Sequence, residues 1–279
     1  MTSIFYLIIF IFGLVIGSFL NCVIYRLEKE HNLKGRSFCP KCKHTLKWLD
    51  LIPFFSFVFL GGKCRYCKKK ISWQYPIVEI ATGLIFLLIF NFEFRILNGF
   101  LISNFETIFN FETLINFCFL LIIASFLIVI FVFDLKHFII PDKIIYSLIG
   151  ITFIKNFQFS IFNFQSIFNE TILNYLISGF GAGLFFLIIV LATKGKGMGI
   201  GDIKLGFFMG LFLGYPNILV ALFLAFLIGA IIGVGLILMK KKKLKSEVPF
   251  GPFLITGTLI AFFWGQELIN WYLNLILIT

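Results

Sequence analysis

Apolar runs, broken by short polar stretches, dominate the chain. Eight of them are rich in Ile, Leu, Phe and Val: Ile4–Tyr25, Ile77–Phe92, Leu114–Phe133, Ile144–Ile154, Thr171–Thr193, Ile203–Gly214, Ile218–Met239 and Phe253–Leu277. A run of about 18 or more apolar residues is long enough to cross the hydrocarbon core as a helix. The fourth and sixth runs are short, and are predicted to tilt into neighbours or to extend over a few polar residues. The pattern predicts an all-α polytopic membrane protein with about eight transmembrane helices. Only one long polar stretch interrupts it, Arg26–Tyr75, between helices 1 and 2. The expected organisation is therefore a first transmembrane helix over 1–25, a small insert over 26–75 and one membrane domain over 76–279. The first run lacks the basic segment and small-residue cleavage site of a secretory signal, so it reads as a retained helix.

Composition agrees with this reading. The chain of 279 residues is 60% hydrophobic, with 41 Phe, and only 13% charged, against roughly 25% charged in a soluble domain. The net charge of +11 takes its meaning from its distribution. Of the 24 Lys and Arg, 22 fall in Arg26–Tyr75, Asp134–Lys143, Lys194–Lys204 and Lys240–Glu247, and the alternate loops hold only Arg95 and Lys155. Basic loops mark the cytoplasmic side. The expected topology has both termini outside and the insert in the cytoplasm, and the basic excess implies a lipid bilayer partner and no nucleic acid. The Lys240–Lys243 run also reads as a stop-transfer anchor. Glycines spaced by four (Gly206, Gly210 and Gly214; Gly179 and Gly183; Gly229 and Gly233) predict close helix packing in lipid.

The insert carries Cys39-Pro-Lys-Cys42 and Cys64-Arg-Tyr-Cys67. Two C-x-x-C pairs separated by 21 residues are close to the four-thiolate zinc pattern. Cytoplasmic thiols stay reduced, which favours metal over a disulfide. Four cysteines close the coordination shell, so the zinc would be structural, and it would supply much of the folding energy of so small an insert. Gly61-Gly62 suits a tight knuckle before the second pair. His44 is a competing ligand, whereas Cys22 and Cys118 lie in apolar runs and read as packing residues.

Three acids border the apolar runs at the side with the basic loops. Asp134 ends the third run, Asp142 follows Pro141, and Asp202 begins the sixth behind the glycines of Gly197–Asp202. Glu79 lies within the second run. An ionisable group at a membrane helix is costly and points to function. Two carboxylates brought together share a proton, giving an acid and a base that activate water against a peptide carbonyl. The glycines before Asp202 permit close approach of an extended substrate. Asp142 also reads as a helix N-cap and Asp202 as a second one. Asp134 is harder to explain structurally, because the C-terminal end of a helix disfavours negative charge.

These blocks together resemble the prepilin peptidases, or type IV leader peptidases, membrane aspartic proteases of the GxGD type. The resemblance rests on GSFLNCVIYRL (Gly17–Leu27), the two C-x-x-C pairs, SWQYPIVEIATG (Ser72–Gly83), DLKHFIIPD (Asp134–Asp142), GMGIGD (Gly197–Asp202) and PFGPFL (Pro249–Leu254). A lone Gly-x-Gly-Asp is weak, but six blocks in the family's order are specific. The resemblance implies that Asp134 and Asp202 are catalytic, with Gly199, Gly201, Asp142 and Glu79 in support. It implies cleavage of the basic leader of type IV pilin-like precursors at the cytoplasmic face of the bacterial inner membrane. In the longer, cysteine-bearing form it also implies N-methylation from S-adenosylmethionine. No Gly-rich nucleotide loop is visible. Asn21, Arg26 and Glu79 border the insert and read either as serving methyl transfer or as buried structural polar groups. Two other readings fit membrane-edge acids: an ion or solute transporter, which predicts acids in helix interiors, and a non-enzymatic assembly platform built on the zinc-bound insert.

Overall fold

The computed structural model describes residues 2–32, 34–95, 111–161, 170–195, 197–239 and 248–277. The basic loop at Lys240–Glu247 and Lys196 lie outside the described residues. Among the described residues the protein is helical without strands. The helices are α1 (Thr2–Glu28), a short α2 (Phe55–Phe59), α3 (Gln74–Arg95), α4 (Phe111–His137), α5 (Asp142–Ile161), α6 (Glu170–Ala192), α7 (Ile200–Leu213), α8 (Asn217–Leu238) and α9 (Gly251–Leu277). The eight apolar runs correspond to the eight long helices. Six of these, α1, α3, α4, α6, α8 and α9, are long and apolar enough to cross a membrane. The other two are the short runs: α7 has only 14 residues, and α5 carries Asp142, Lys143, Lys155 and Asn156.

The chain forms two compact units, Met1–Val129 and Ile130–Thr279. In the first, α1 packs along α3. Gly13 and Gly17 make this possible, since a Cβ on Gly17 would lie 2.7 Å from the Glu79 Cα. In the second, α7 is central, packed by α5, α6, α8 and α9. Leu205, Phe208, Met209 and Leu211 are buried there, so this short helix is covered by protein along its length. The glycine seams act mainly between α6 and α7. Gly210 lies against the backbone of Ser178 and Gly179, Gly206 against Phe186, and Gly179 against Leu211. Gly229 meets Phe253, whereas Gly233 faces open space. The C-terminal end of α7 is tied twice: the Asn156 side chain donates to the Leu211 carbonyl at 2.9 Å, and Asn174 exchanges two hydrogen bonds with the backbone of Tyr215, just past the helix.

Candidate active site and metal centre

In the second unit, the C-terminal end of α4 and the N-terminal ends of α7 and α9 converge on two acids. Asp134 lies in the last turn of α4 and is 5% exposed. Its Oδ2 accepts the Gly251 N–H at 3.0 Å. Gly251 is the first residue of α9, so this amide is one of the donors that a helix start leaves without an intrahelical partner. A side chain is excluded at this position, since a Cβ on Gly251 would sit 2.6 Å from that oxygen. Asp202 is 8% exposed and is the third residue of α7. Its Oδ2 accepts the Gly199 N–H at 3.0 Å. The carboxylate thus reaches back to the residue that precedes the helix, at the end where the dipole favours negative charge. Gly201 packs on Ile140, which a Cβ would approach to 3.0 Å. The charge of Asp134 acts on Asp202. Two buried carboxylates, each fixed by one glycine amide, can divide the roles of acid and base toward a water and a carbonyl.

Asp142 takes a different place. It opens α5, is exposed, and its Oδ1 accepts from the Lys204 Nζ at 2.5 Å. The Lys204 ammonium also lies 4.8 Å from the Tyr146 ring centroid. Asp142 thus stands at the helix start, as its sequence context suggests, and forms an ion pair between the starts of α5 and α7. Gly251, Lys204 and Tyr146 were not singled out by sequence reasoning. The available signals were the glycine before Pro252 in PFGPFL and the lysine two residues after Asp202.

In the first unit, the Sγ atoms of Cys39, Cys42, Cys64 and Cys67 all lie within 4.8 Å of one another. A tetrahedral zinc with Zn–S near 2.3 Å needs sulfurs roughly 3.8 Å apart, so the group fits the ion with a small contraction. The two halves repeat one local structure. Cys39 N–H donates to the His44 carbonyl and Lys43 N–H to the Cys39 carbonyl; Cys64 N–H donates to the Lys69 carbonyl and Lys68 N–H to the Cys64 carbonyl. The left-handed residue each knuckle needs is Lys43 (φ 57°) or Lys68 (φ 56°). The expected role of Gly61-Gly62 in the knuckle is therefore corrected. These glycines end α2 instead, donating to the Val58 and Phe57 carbonyls respectively in the glycine-dependent helix stop. The His44 ring packs on Tyr66, with centroids 3.7 Å apart. Burial raises the Cys39 thiol, but hydrogen bonds from the Cys42 and Lys41 amides and from the Cys64 and Cys42 thiols outweigh it and bring it down to about 7. Cys42 goes the other way: the His44 amide lowers it, but burial and the Cys39 and Cys67 sulfurs push it up to about 11. One sulfur of the set is thus ready to ionise near neutrality, and a bound cation would drive off the remaining protons.

Asn21, Arg26 and Glu79 are all buried and are spent on the chain itself. The Arg26 guanidinium donates to the carbonyls of Asn32, Lys34, Gly35 and Arg36. Asn21 donates to the Tyr75 carbonyl and accepts from the Gln74 side chain. Glu79 Oε2 accepts the Phe54 N–H at 2.7 Å. These three groups join α1, the insert and α3.

Two family models match the chain in order: the bacterial peptidase A24 N-terminal domain over residues 11–92 and the type IV leader peptidase family over residues 121–234. The first span holds the four cysteines and Glu79; the second holds Asp134, Asp142 and Asp202. The chain is 30% identical to a prepilin leader peptidase/N-methyltransferase of Legionella pneumophila, covering 96% of this chain and 94% of the relative. It is likewise 30% identical to one of Bacillus subtilis, covering 97% and 98%, and 28% identical to one of Aeromonas salmonicida, covering 97% and 94%. No solved structure matches the chain. The fold and the paired acids are those of a helical membrane protein with a candidate hydrolytic centre at its helix ends. The chain belongs to the type IV leader peptidase family.

Proposed function

We propose that this protein is a membrane-embedded aspartic endopeptidase that removes the basic leader of type IV pilin-like precursors. The observation that carries the reading is the pair Asp134 and Asp202, each buried and each fixed by a glycine amide at a helix start. One aspartate, ionised, takes a proton from water. The other, protonated, donates to the scissile carbonyl oxygen as the water oxygen bonds to its carbon. Collapse of the tetrahedral intermediate breaks the C–N bond and returns a proton to the leaving amine. Gly199 gives an extended substrate access, Gly201 lets the start of α7 pack on Ile140, and Asp142 fixes that start through Lys204. The proposed organisation is the first transmembrane helix over 1–25, the zinc-binding insert over 26–75 and the peptidase domain over 76–279. The distribution of basic residues supports a site at the cytoplasmic face of the bacterial inner membrane.

Zinc held by Cys39, Cys42, Cys64 and Cys67 would be structural and would stabilise the insert. The relatives' names support a second activity, methylation of the new N-terminus, for which S-adenosylmethionine would supply the methyl group. Glu79 supports the insert beneath that activity by holding Phe54. The test is cleavage of a co-expressed pilin-type precursor by Asp134→Asn, Asp202→Asn and Asp142→Asn at equal expression. The first two should abolish cleavage and the third should retain it, since an exposed ion pair contributes about 1 kcal/mol or less. Cleavage surviving in Asp134→Asn or Asp202→Asn overturns the dyad.

A further inference from the structure

The insert carries an apolar face that its own small core does not use. In α2, Phe55, Val58 and Phe59 share one side at spacings of three and four. All three are exposed, Phe59 at 85%. Trp73 is 70% exposed and packs on Phe57 with ring centroids 5.1 Å apart. Ile77, also exposed, continues the apolar surface onto the first turn of α3. A cluster of this kind marks an interaction surface rather than scattered exposure.

The fold fixes the level of this face along a membrane helix. Phe54, immediately before α2, is a non-glycine residue at φ 59°. It is the centre of a tight turn in which Phe55 N–H donates to the Pro53 carbonyl at 2.6 Å. Such a conformation is strained and persists only where other contacts impose it. The contact here is Glu79, whose carboxylate accepts the Phe54 amide. Glu79 lies five residues into α3, about 7.5 Å along its axis, and α3 counts as a membrane span from Gln74 onward. The start of α2 is therefore tied beside the outer turns of a spanning helix. Charge agrees with this placement. Residues 36–72 hold nine Lys or Arg and a single acid, Asp50, and Asp50 is already paired with Arg65 at 2.6 Å. Aromatic side chains favour the membrane–water boundary, and clustered basic residues favour an anionic leaflet.

We propose that the face of α2 with Trp73 lies in the headgroup layer of an anionic bilayer and docks the four-cysteine insert onto the membrane. The Glu79–Phe54 tie holds that face at the required level. The docking would keep the insert from swinging free on its two chain connections.

The test uses the full chain in vesicles of phosphatidylethanolamine and phosphatidylglycerol, with Phe59→Trp as the single indole after Trp48, Trp73, Trp264 and Trp271 are changed to Phe. An aromatic-for-aromatic change preserves the surface. Lipids brominated near the top of the acyl chain should quench the introduced indole at least twofold, and aqueous acrylamide should have little effect. Strong acrylamide quenching without bromine quenching overturns the proposal. Protection from both quenchers also overturns it, because the face would then be covered by protein, a second copy or a bound precursor. Hydrogen exchange of residues 55–59 in the unsubstituted chain, in the same vesicles and in detergent, provides a readout free of substitutions. Slower exchange in vesicles is expected, and equal exchange counts against docking.

Discussion

Gly251→Ala tests whether the amide at the start of α9 sets the geometry of Asp134. An added Cβ would lie 2.6 Å from Oδ2 and 3.1 Å from Cγ of Asp134. Reaching even 3.0 Å takes 0.4 Å of movement, and an ordinary contact at 3.4 Å takes 0.8 Å. The carboxylate is 5% exposed, so it yields by breaking its bond to the Gly251 amide. A hydrogen bond to a charged group contributes about 1.5–3 kcal/mol. Spent on orientation, that is a loss of about 10- to 160-fold in kcat/KM. A misplacement approaching 1 Å at reacting groups gives a similar figure, about a hundredfold. The assay is leader removal from a purified pilin-type precursor in one detergent, with Tm measured alongside. Gly150→Ala is the matched control, since Gly150 faces open space and its substitution should leave cleavage within about twofold. If Gly251→Ala cleaves as well as wild type, or loses activity only in proportion to its folded fraction, the amide does not orient Asp134.

Three further outcomes follow from other parts of the structure. Cys64→Ser should lose bound zinc and open the insert to protease between residues 36 and 70, read by elemental analysis and by mapping the cleavage products. Gly210→Ala should lower Tm without a selective loss of kcat, because its Cβ would strike the backbone of Ser178 and Gly179; overpacking of this kind costs about 1–3 kcal/mol. For Asp50, burial raises the carboxyl, but hydrogen bonds from Arg65, the Lys47 amide and Tyr66 outweigh it and hold it below the usual carboxylate range. A folded-state value below the unfolded one gives stability that is present above about pH 4 and lost as pH falls through the folded value. The Tm difference between wild type and Asp50→Asn should therefore be constant above about pH 4 and shrink below it.

What the sequence made legible is what local pattern controls. Among the described residues, apolar runs located all eight long helices: six are apolar over a spanning length, as a spanning helix must be wherever it packs, and α5 and α7 bury apolar side chains against their neighbours. The cysteine spacing likewise brought four thiols to one point. Boundaries were missed where polar residues are satisfied at long range. Helix α5 runs past Ile154 to Ile161 because Asn156 spends its amide on the end of α7. Helix α7 starts at Ile200, so Asp202 belongs to its first turn rather than preceding it. The glycines were legible as special but not in their roles: Gly61-Gly62 end a helix, and lysines take the left-handed positions of both knuckles.

The position of Asp134 shows the limit most clearly. Read along the chain, a carboxylate in the last turn of a helix is opposed by the dipole, and nothing nearby in sequence offsets that. The offsetting group is a backbone N–H 117 residues away, donated from the favourable end of another helix. An amide has no side chain to announce it, so its only trace in the sequence is the missing Cβ of Gly251. Asp202 also accepts a glycine amide, that of Gly199 three residues away, but a Cβ there would lie 3.9 Å from its Oδ2, an ordinary contact. Both acids thus meet a backbone amide at a helix start, and at Gly251 the carboxylate also excludes a side chain. At Asp202 the donor is a near neighbour in sequence, and at Asp134 it is one that only the fold supplies.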